Sequence, residues 1–211
     1  CRPCMEADLQ TDIELFETAY RDFAALPYVD RNNLFIWGHS MGGIIAPMIV
    51  SKQPVKGIIV FGTVFRPWSE FLLEMHRVQK PLLDSLDYEQ TETFVRLIQK
   101  VYYEFFVLKK SPAELFQNPA YKNIVETELE YKPGKEDMWG RHWRFWQQLD
   151  SINLAVTWQR VNCKVLAFQG GADFIQCAAV EPYLIAATVN KSHPGNATMV
   201  TIPQLDHLLM H

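Results

Sequence analysis

The stretch Leu34-Phe35-Ile36-Trp37-Gly38-His39-Ser40-Met41-Gly42-Gly43 decides how this chain is read. An apolar run enters Gly-x-Ser-x-Gly, and a second apolar run, Ile44 to Val50, leaves it. A strand that turns sharply into a helix at a serine is a nucleophile elbow, whose strained turn exposes the hydroxyl. Gly38 and Gly42 are expected where neighbouring backbone passes too close to leave room for a Cβ.

A serine hydroxyl is a weak nucleophile alone. It needs a base within hydrogen-bond reach and a third group that orients the base. In a strand–elbow–helix arrangement the acid and then the histidine follow the serine along the chain. Val165 to Phe168 reads as a buried strand opening into Gln169-Gly170-Gly171-Ala172-Asp173, which puts a carboxylate just beyond the strand end. Thr198 to Ile202 reads as another strand, followed by Pro203-Gln204-Leu205-Asp206-His207. Ser40, Asp173 and His207 then lie on one edge of a parallel sheet, where ligand sites of open α/β sheets are found. Asp206 is a rival acid, ranked lower because adjacent residues rarely point at the same partner. Of the other histidines, His39 belongs to the elbow and packs or lines its turn. His76 and His142 fall in helical patterns and read as surface or cap residues, His193 lies in a loop, and His211 is terminal.

With these residues in view, the chain resembles the α/β-hydrolase family in its serine esterase, lipase and aminopeptidase-like branch. The resemblance covers the C-terminal two-thirds of that fold. It implies an α/β architecture: a mostly parallel sheet flanked by helices, with an inserted helical cap. It also implies Ser40 as nucleophile, Asp173 as acid, His207 as base and the Met41 backbone N–H as half of the oxyanion hole. A small-molecule acyl substrate and no cofactor follow from it. Serine at the elbow argues against the dehalogenase and epoxide-hydrolase branches, which carry aspartate there.

The family's second oxyanion donor comes from a loop after an earlier strand. Before the elbow this sequence offers one helix candidate, Glu6 to Ala25, with Leu9, Ile13, Phe16, Tyr20 and Phe23 on one face and Pro27 beyond it. The expectation is therefore a C-terminal part of a longer protein. A missing N-terminal segment would be its partner along the otherwise unpaired elbow strand, since exposed apolar edges invite association.

Ile58-Ile59-Val60-Phe61-Gly62 reads as the strand after the elbow helix. About 100 residues separate it from Val165, far more than one crossover needs. Phe71, Leu72, Met75 and Val78 recur at helical spacing, as do Phe94, Leu97, Ile98, Val101, Tyr102 and Phe105. Leu115 and Phe116, then Ile124, Val125 and Leu129, continue the pattern. A last helix is expected over Asp137 to Leu149, with Trp139, Trp143 and Trp146 on one stripe. The expected organisation is a core of residues 1–63 and 156–211 and a helical cap of 64–155. The Trp stripe reads as packing or, with His39, as substrate-binding surface. Four apolar strand runs suggest parallel strands covered on both faces, with Ala178 to Val189 as one crossover helix.

Composition sets outer bounds. At 211 residues, 48% hydrophobic and 21% charged, the chain is ordinary for a globular protein. A net charge of −4 gives no reason to expect nucleic acid or an anionic membrane as partner. No apolar run is long enough to span a bilayer. Cys1 and Cys4 read as a loop disulfide of an exported protein or as two free thiols, and Cys163 and Cys177 as buried or half-buried positions. His and Cys lack metal-ligand spacing, so no metal is expected. The reading is a serine hydrolase of esters or related acyl bonds. A peptidase or amidase, an acyltransferase, or a non-catalytic hydrolase-like binding module remain its alternatives.

Overall fold

Four of the apolar runs form one parallel sheet in the computed structural model, which describes residues 7–210. The Cys1 and Cys4 pair and His211 therefore lie outside the described residues. In chain order the elements begin α1 (Leu9–Ala24), β1 (Phe35–His39), α2 (Gly42–Val50) and β2 (Gly57–Phe61). Then come α3 (Trp68–Asp84), α4 (Tyr88–Tyr102), α5 (Pro112–Phe116), α6 (Lys122–Thr127), β3 (Asp137–Met138), β4 (Arg141–His142) and α7 (Trp143–Asp150). The chain closes with α8 (Leu154–Gln159), β5 (Lys164–Gly170), α9 (Val180–Ser192) and β6 (Ala197–Ile202). The main sheet has the order β1-β2-β5-β6, all parallel. Among the described residues no helix is long and apolar enough to cross a membrane.

Two compact units divide the chain. One comprises Trp68–Ile152 with the segment ending at Asp12; the other comprises Ile13–Pro67 and the residues from Asn153 onward.

In the sheet-bearing unit, Phe35, Trp37 and His39 alternate with Ile36 and Gly38 along β1, as strand geometry requires. Helices α2 and α9 pack on the strands, and α8 packs on both helices. Ile58, Val60, Val165 and Ala167 are buried on one face of the sheet. On the other face Phe35 is 57% and Trp37 50% exposed, and Leu166 and Val200 are also exposed. Cover on both faces was the expectation from continuous apolar runs; among the described residues that second face stays partly open. The loop leaving β2 is anchored by Glu181, whose side chain is fully buried. Its Oε2 accepts from the N–H groups of Phe65 (2.6 Å) and Arg66 (3.2 Å), while Oε1 accepts from Arg66 Nε (2.6 Å). A buried carboxylate is tolerated because each oxygen is satisfied.

The other unit is built from helices with local start signals. Asp87 and Gln90 form a reciprocal capping box at α4; Ser111 and Glu114 form another at α5, where Pro112 holds the first position. Buried Val95, Ile98, Val101 and Tyr102 lead into a π-helical turn, Tyr103–Val107, which buries Phe105 and Phe106. The predicted helix over Asp137 to Leu149 is shorter than expected. Trp139 (φ +51°) and Gly140 (φ +74°) turn the chain between β3 and β4, and α7 starts only at Trp143. Two successive positive φ values make a tight hairpin, not a helix. Trp139 therefore leaves the expected stripe and meets Trp146 edge-on at 5.2 Å. His142 caps α7 as expected, accepting from Arg144 N–H at 3.1 Å. His76 departs from the surface reading: it is 5% exposed and hydrogen-bonded to Tyr102 Oη at 2.8 Å.

Candidate active site

All the elements of the candidate site belong to the sheet-bearing unit. At the end of β1, Ser40 sits at φ +53°. A non-glycine residue pays for that conformation and needs surroundings that enforce it. Its N–H donates to Phe61 O at 2.9 Å, and its C=O accepts from Gly43 N–H at 2.9 Å, so the turn is held on both sides. A Cβ on Gly38 would stand 2.7 Å from Gly42 O and 2.9 Å from Gly43 Cα, which explains the glycine there. Gly42 is otherwise: a Cβ there would meet nothing within 4 Å. The crowded second position is Gly43, against the side chain of Thr63, because the first turn of α2 aims Gly43 and not Gly42 at the loop after β2.

Asp173 stands just past β5. The N–H groups of Ile175 and Gln176 donate to its Oδ1 at 3.0 and 2.8 Å. Gly171 N–H to Ile202 O (2.8 Å) and Ala172 N–H to Leu205 O (3.1 Å) tie this turn to the chain after β6. That second segment carries His207, whose Nδ1–H donates to Asp173 Oδ2 at 2.8 Å. Both side chains are buried, and the contact leaves Nε2 as the ring's free acceptor. Asp206, the rival acid, is engaged elsewhere: its Oδ1 accepts from Leu208 and Met210 N–H, both at 2.8 Å, and shapes the turn.

The structure thus brings His207 and Asp173 into contact. Among the described residues Ser40 makes no hydrogen bond to His207; the elbow and the histidine loop are joined instead through His39. Its Nε2–H donates to the backbone C=O of His207 at 2.7 Å, and the two rings lie 4.8 Å apart. Met41 precedes the first turn of α2, and its N–H has no acceptor among the described residues. A helix start is where backbone N–H groups meet negative charge favourably.

The other candidates sit in the helical unit. Trp139 Nε1–H donates to Glu128 O and Trp146 Nε1–H to Met138 O, both at 2.7 Å. Trp146 also stacks on Trp68 at 5.7 Å. Trp143 lies beside His142 at 5.2 Å, with the Arg144 guanidinium 5.0 Å over its ring.

One site residue escaped the sequence reading. Gly62, at φ +54°, closes β2, and a Cβ there would come within 3.0 Å of His207 Cε1 and Nδ1 and 3.1 Å of Asp173 Oδ2. The signal was available: a lone glycine directly ending the run Ile58 to Phe61 marks a close approach. Gly62→Ala is expected to cost about 1–2 kcal/mol through the backbone alone, seen as a melting-temperature drop of about 4 °C. A melting temperature equal to the parent's would show that the loop relaxes freely.

A family model described as serine aminopeptidase, S33, matches residues 7–211. No curated protein matches the chain. Among solved structures, an α/β fold family hydrolase from Bacillus anthracis str. Sterne is 16% identical with a TM-score of 0.53; the match covers 98% of this chain and 70% of that one. Est1E from Butyrivibrio proteoclasticus, in a structure with ferulic acid bound, is 16% identical with a TM-score of 0.52, covering 98% and 64%. The esterase domain from a Rhodothermus marinus protein is 18% identical with a TM-score of 0.48, covering 94% and 60%. The chain thus spans less than two thirds of the length of Est1E and of the Rhodothermus domain.

Proposed function

The chain belongs to the serine aminopeptidase family of α/β hydrolases, and from that premise we propose that it cleaves a carboxylic ester or related acyl bond through Ser40, His207 and Asp173. The observation that carries the reading is the buried Nδ1–Oδ2 contact of 2.8 Å between His207 and Asp173, in a loop tied to a serine held at φ +53°.

In this reading Nε2 of His207 takes the Ser40 proton as Oγ attacks the carbonyl carbon. The carbonyl π pair moves to oxygen, and Met41 N–H donates to the oxyanion so formed. Asp173 holds the ring in the tautomer that can accept and steadies the imidazolium. As the oxyanion collapses, the bond to the leaving alcohol breaks and His207 returns the proton to it. Water, deprotonated by His207, then attacks the carbonyl carbon of the acyl-Ser40 ester. As this second intermediate collapses, the bond to Oγ breaks, His207 returns the proton to Oγ and the acid leaves.

The family description favours one further reading, amide cleavage on the same residues. A panel pairing short-chain p-nitrophenyl and feruloyl esters with aminoacyl p-nitroanilides separates the two. The direct test is a fluorophosphonate probe followed by peptide mapping. A single adduct on Ser40 is expected; an adduct elsewhere, or none, removes the reading.

A further inference from the structure

We propose that His39 is a positioning residue for the base: its imidazole holds the His207 main chain, so that the elbow carrying Ser40 and the loop carrying His207 keep one fixed spacing. This role presupposes those proposed for Ser40 and His207.

Three observations carry it. The first is the hydrogen bond from His39 Nε2–H to His207 O, 2.7 Å long and spanning 168 residues of sequence. A carbonyl only accepts, so the imidazole nitrogen must be the donor. The second is how the ring is aimed. Strand alternation puts His39 on the same face of β1 as Trp37, and the register pairs it with Phe61, which is paired in turn with Phe168. His39 stacks on Phe61 at 5.4 Å and 14°, and Phe61 stacks on Phe168 at 4.6 Å. Cross-strand ring pairs of this kind stiffen a side chain. The third is the tether's place. His207 is held by Asp173 at its side chain and by His39 at its backbone, so both the ring and the segment bearing it are fixed. A proton acceptor misplaced by about 1 Å loses on the order of 10²-fold in rate, so a bond between the two segments matters beyond its own strength.

His39→Phe keeps the stack on Phe61 and deletes the donor; His39→Gln restores an N–H at similar reach. For p-nitrophenyl acetate, His39→Phe is expected to lower kcat about 10- to 100-fold with KM within about twofold. His39→Gln is expected to recover most of that loss. Hydrogen exchange of the peptide spanning residues 203–210 gives a readout independent of catalysis. It should quicken about fivefold or more in His39→Phe and stay near the parent's rate in His39→Gln. If His39→Phe does not fold, His39→Asn, too short to reach the carbonyl, replaces it in both measurements. Unchanged exchange in the variants lacking the bond, or a His39→Gln as impaired as His39→Phe, overturns the inference. Probe labelling separates the two ideas: an unlabelled Ser40 in the parent ends the triad reading, whereas a labelled Ser40 with unchanged exchange in His39→Phe ends this one alone.

Discussion

Asp173→Asn is expected to lower kcat for ester hydrolysis by about 10⁴-fold while the protein stays folded, the scale set by inverting the histidine tautomer in Ser-His-Asp enzymes. The local hydrogen bonds say why so small a change acts so strongly. Ile175 and Gln176 N–H groups donate to Oδ1 at 3.0 and 2.8 Å, so an asparagine must keep its carbonyl oxygen there. Its NH₂ then takes the place of Oδ2, 2.8 Å from His207 Nδ1, and donates where the carboxylate accepted. Nδ1 becomes the acceptor and the ring proton moves to Nε2. The ring then has no lone pair to offer Ser40. The measurement is kcat with a p-nitrophenyl ester beside a thermal melt of the same sample. A folded Asp173→Asn with kcat within tenfold of the parent would sink the assignment.

The chemistry proposed for this site would depend on backbone geometry as much as on the three side chains. Ser40 is held at a costly φ by Phe61 O and by its own bond from Gly43, and Gly38 leaves the space that turn requires. Gly62 leaves the space in which the His207–Asp173 pair sits. Glu181 fixes the loop that continues from Gly62 toward Arg66. Gly38, Phe61 and Gly62 lie at or beside strand ends, where a parallel sheet gathers its loops, and Glu181 reaches the same edge from the first turn of α9.

How much of this was legible in sequence depended on whether the cause was local. The runs Phe35–His39, Gly57–Phe61, Lys164–Gly170 and Ala197–Ile202 were readable because they are short, β-branched- and aromatic-rich apolar blocks bounded by turn residues, although one face of the sheet is left partly exposed. The helices at Phe71, Phe94, Leu115 and Ile124 followed from a period of about 3.6. Contacts between distant segments were not readable. Nothing near His76 in the chain announces Tyr102, and a helical period alone does not tell a capping histidine from a buried one. Trp139-Gly140 lacks the Asn-Gly signature of a tight hairpin, so aromatic spacing mimicked a helix across it. The elbow pattern drew attention to Gly42, whereas packing against Thr63 makes Gly43 the crowded position.

The folded state is expected to lose about 3 kcal/mol of stability between neutral pH and pH 4 through His76 alone. His76 is pushed down from 6.5 to about 4, first by burial, then by the Lys80 cation, with Asp84 opposing. The surroundings account for the direction. The ring stacks against Tyr102 and meets Phe94 edge-on, while Lys80 lies 4.5 Å over that Phe94 ring and pairs with Asp84 (2.9 Å) and Glu128 (3.0 Å). A protonated ring keeps its contact with Tyr102, because the hydroxyl oxygen accepts from Nε2–H; desolvation of the charge dominates the cost. Between about pH 6.5 and pH 4 the unfolded chain binds a proton that the folded chain refuses. The contribution is therefore complete above the unfolded value and gone once pH falls through the folded one. Urea unfolding across this range, for the protein and for His76→Gln, isolates the effect, since titrating groups that do not interact with His76 cancel in the difference. That difference should shrink by about 3 kcal/mol as pH falls, because each pH unit separating the folded from the unfolded value is worth about 1.4 kcal/mol. A flat difference would mean that His76 accepts its proton in place, through water reaching the ring or through movement of α3 away from α4.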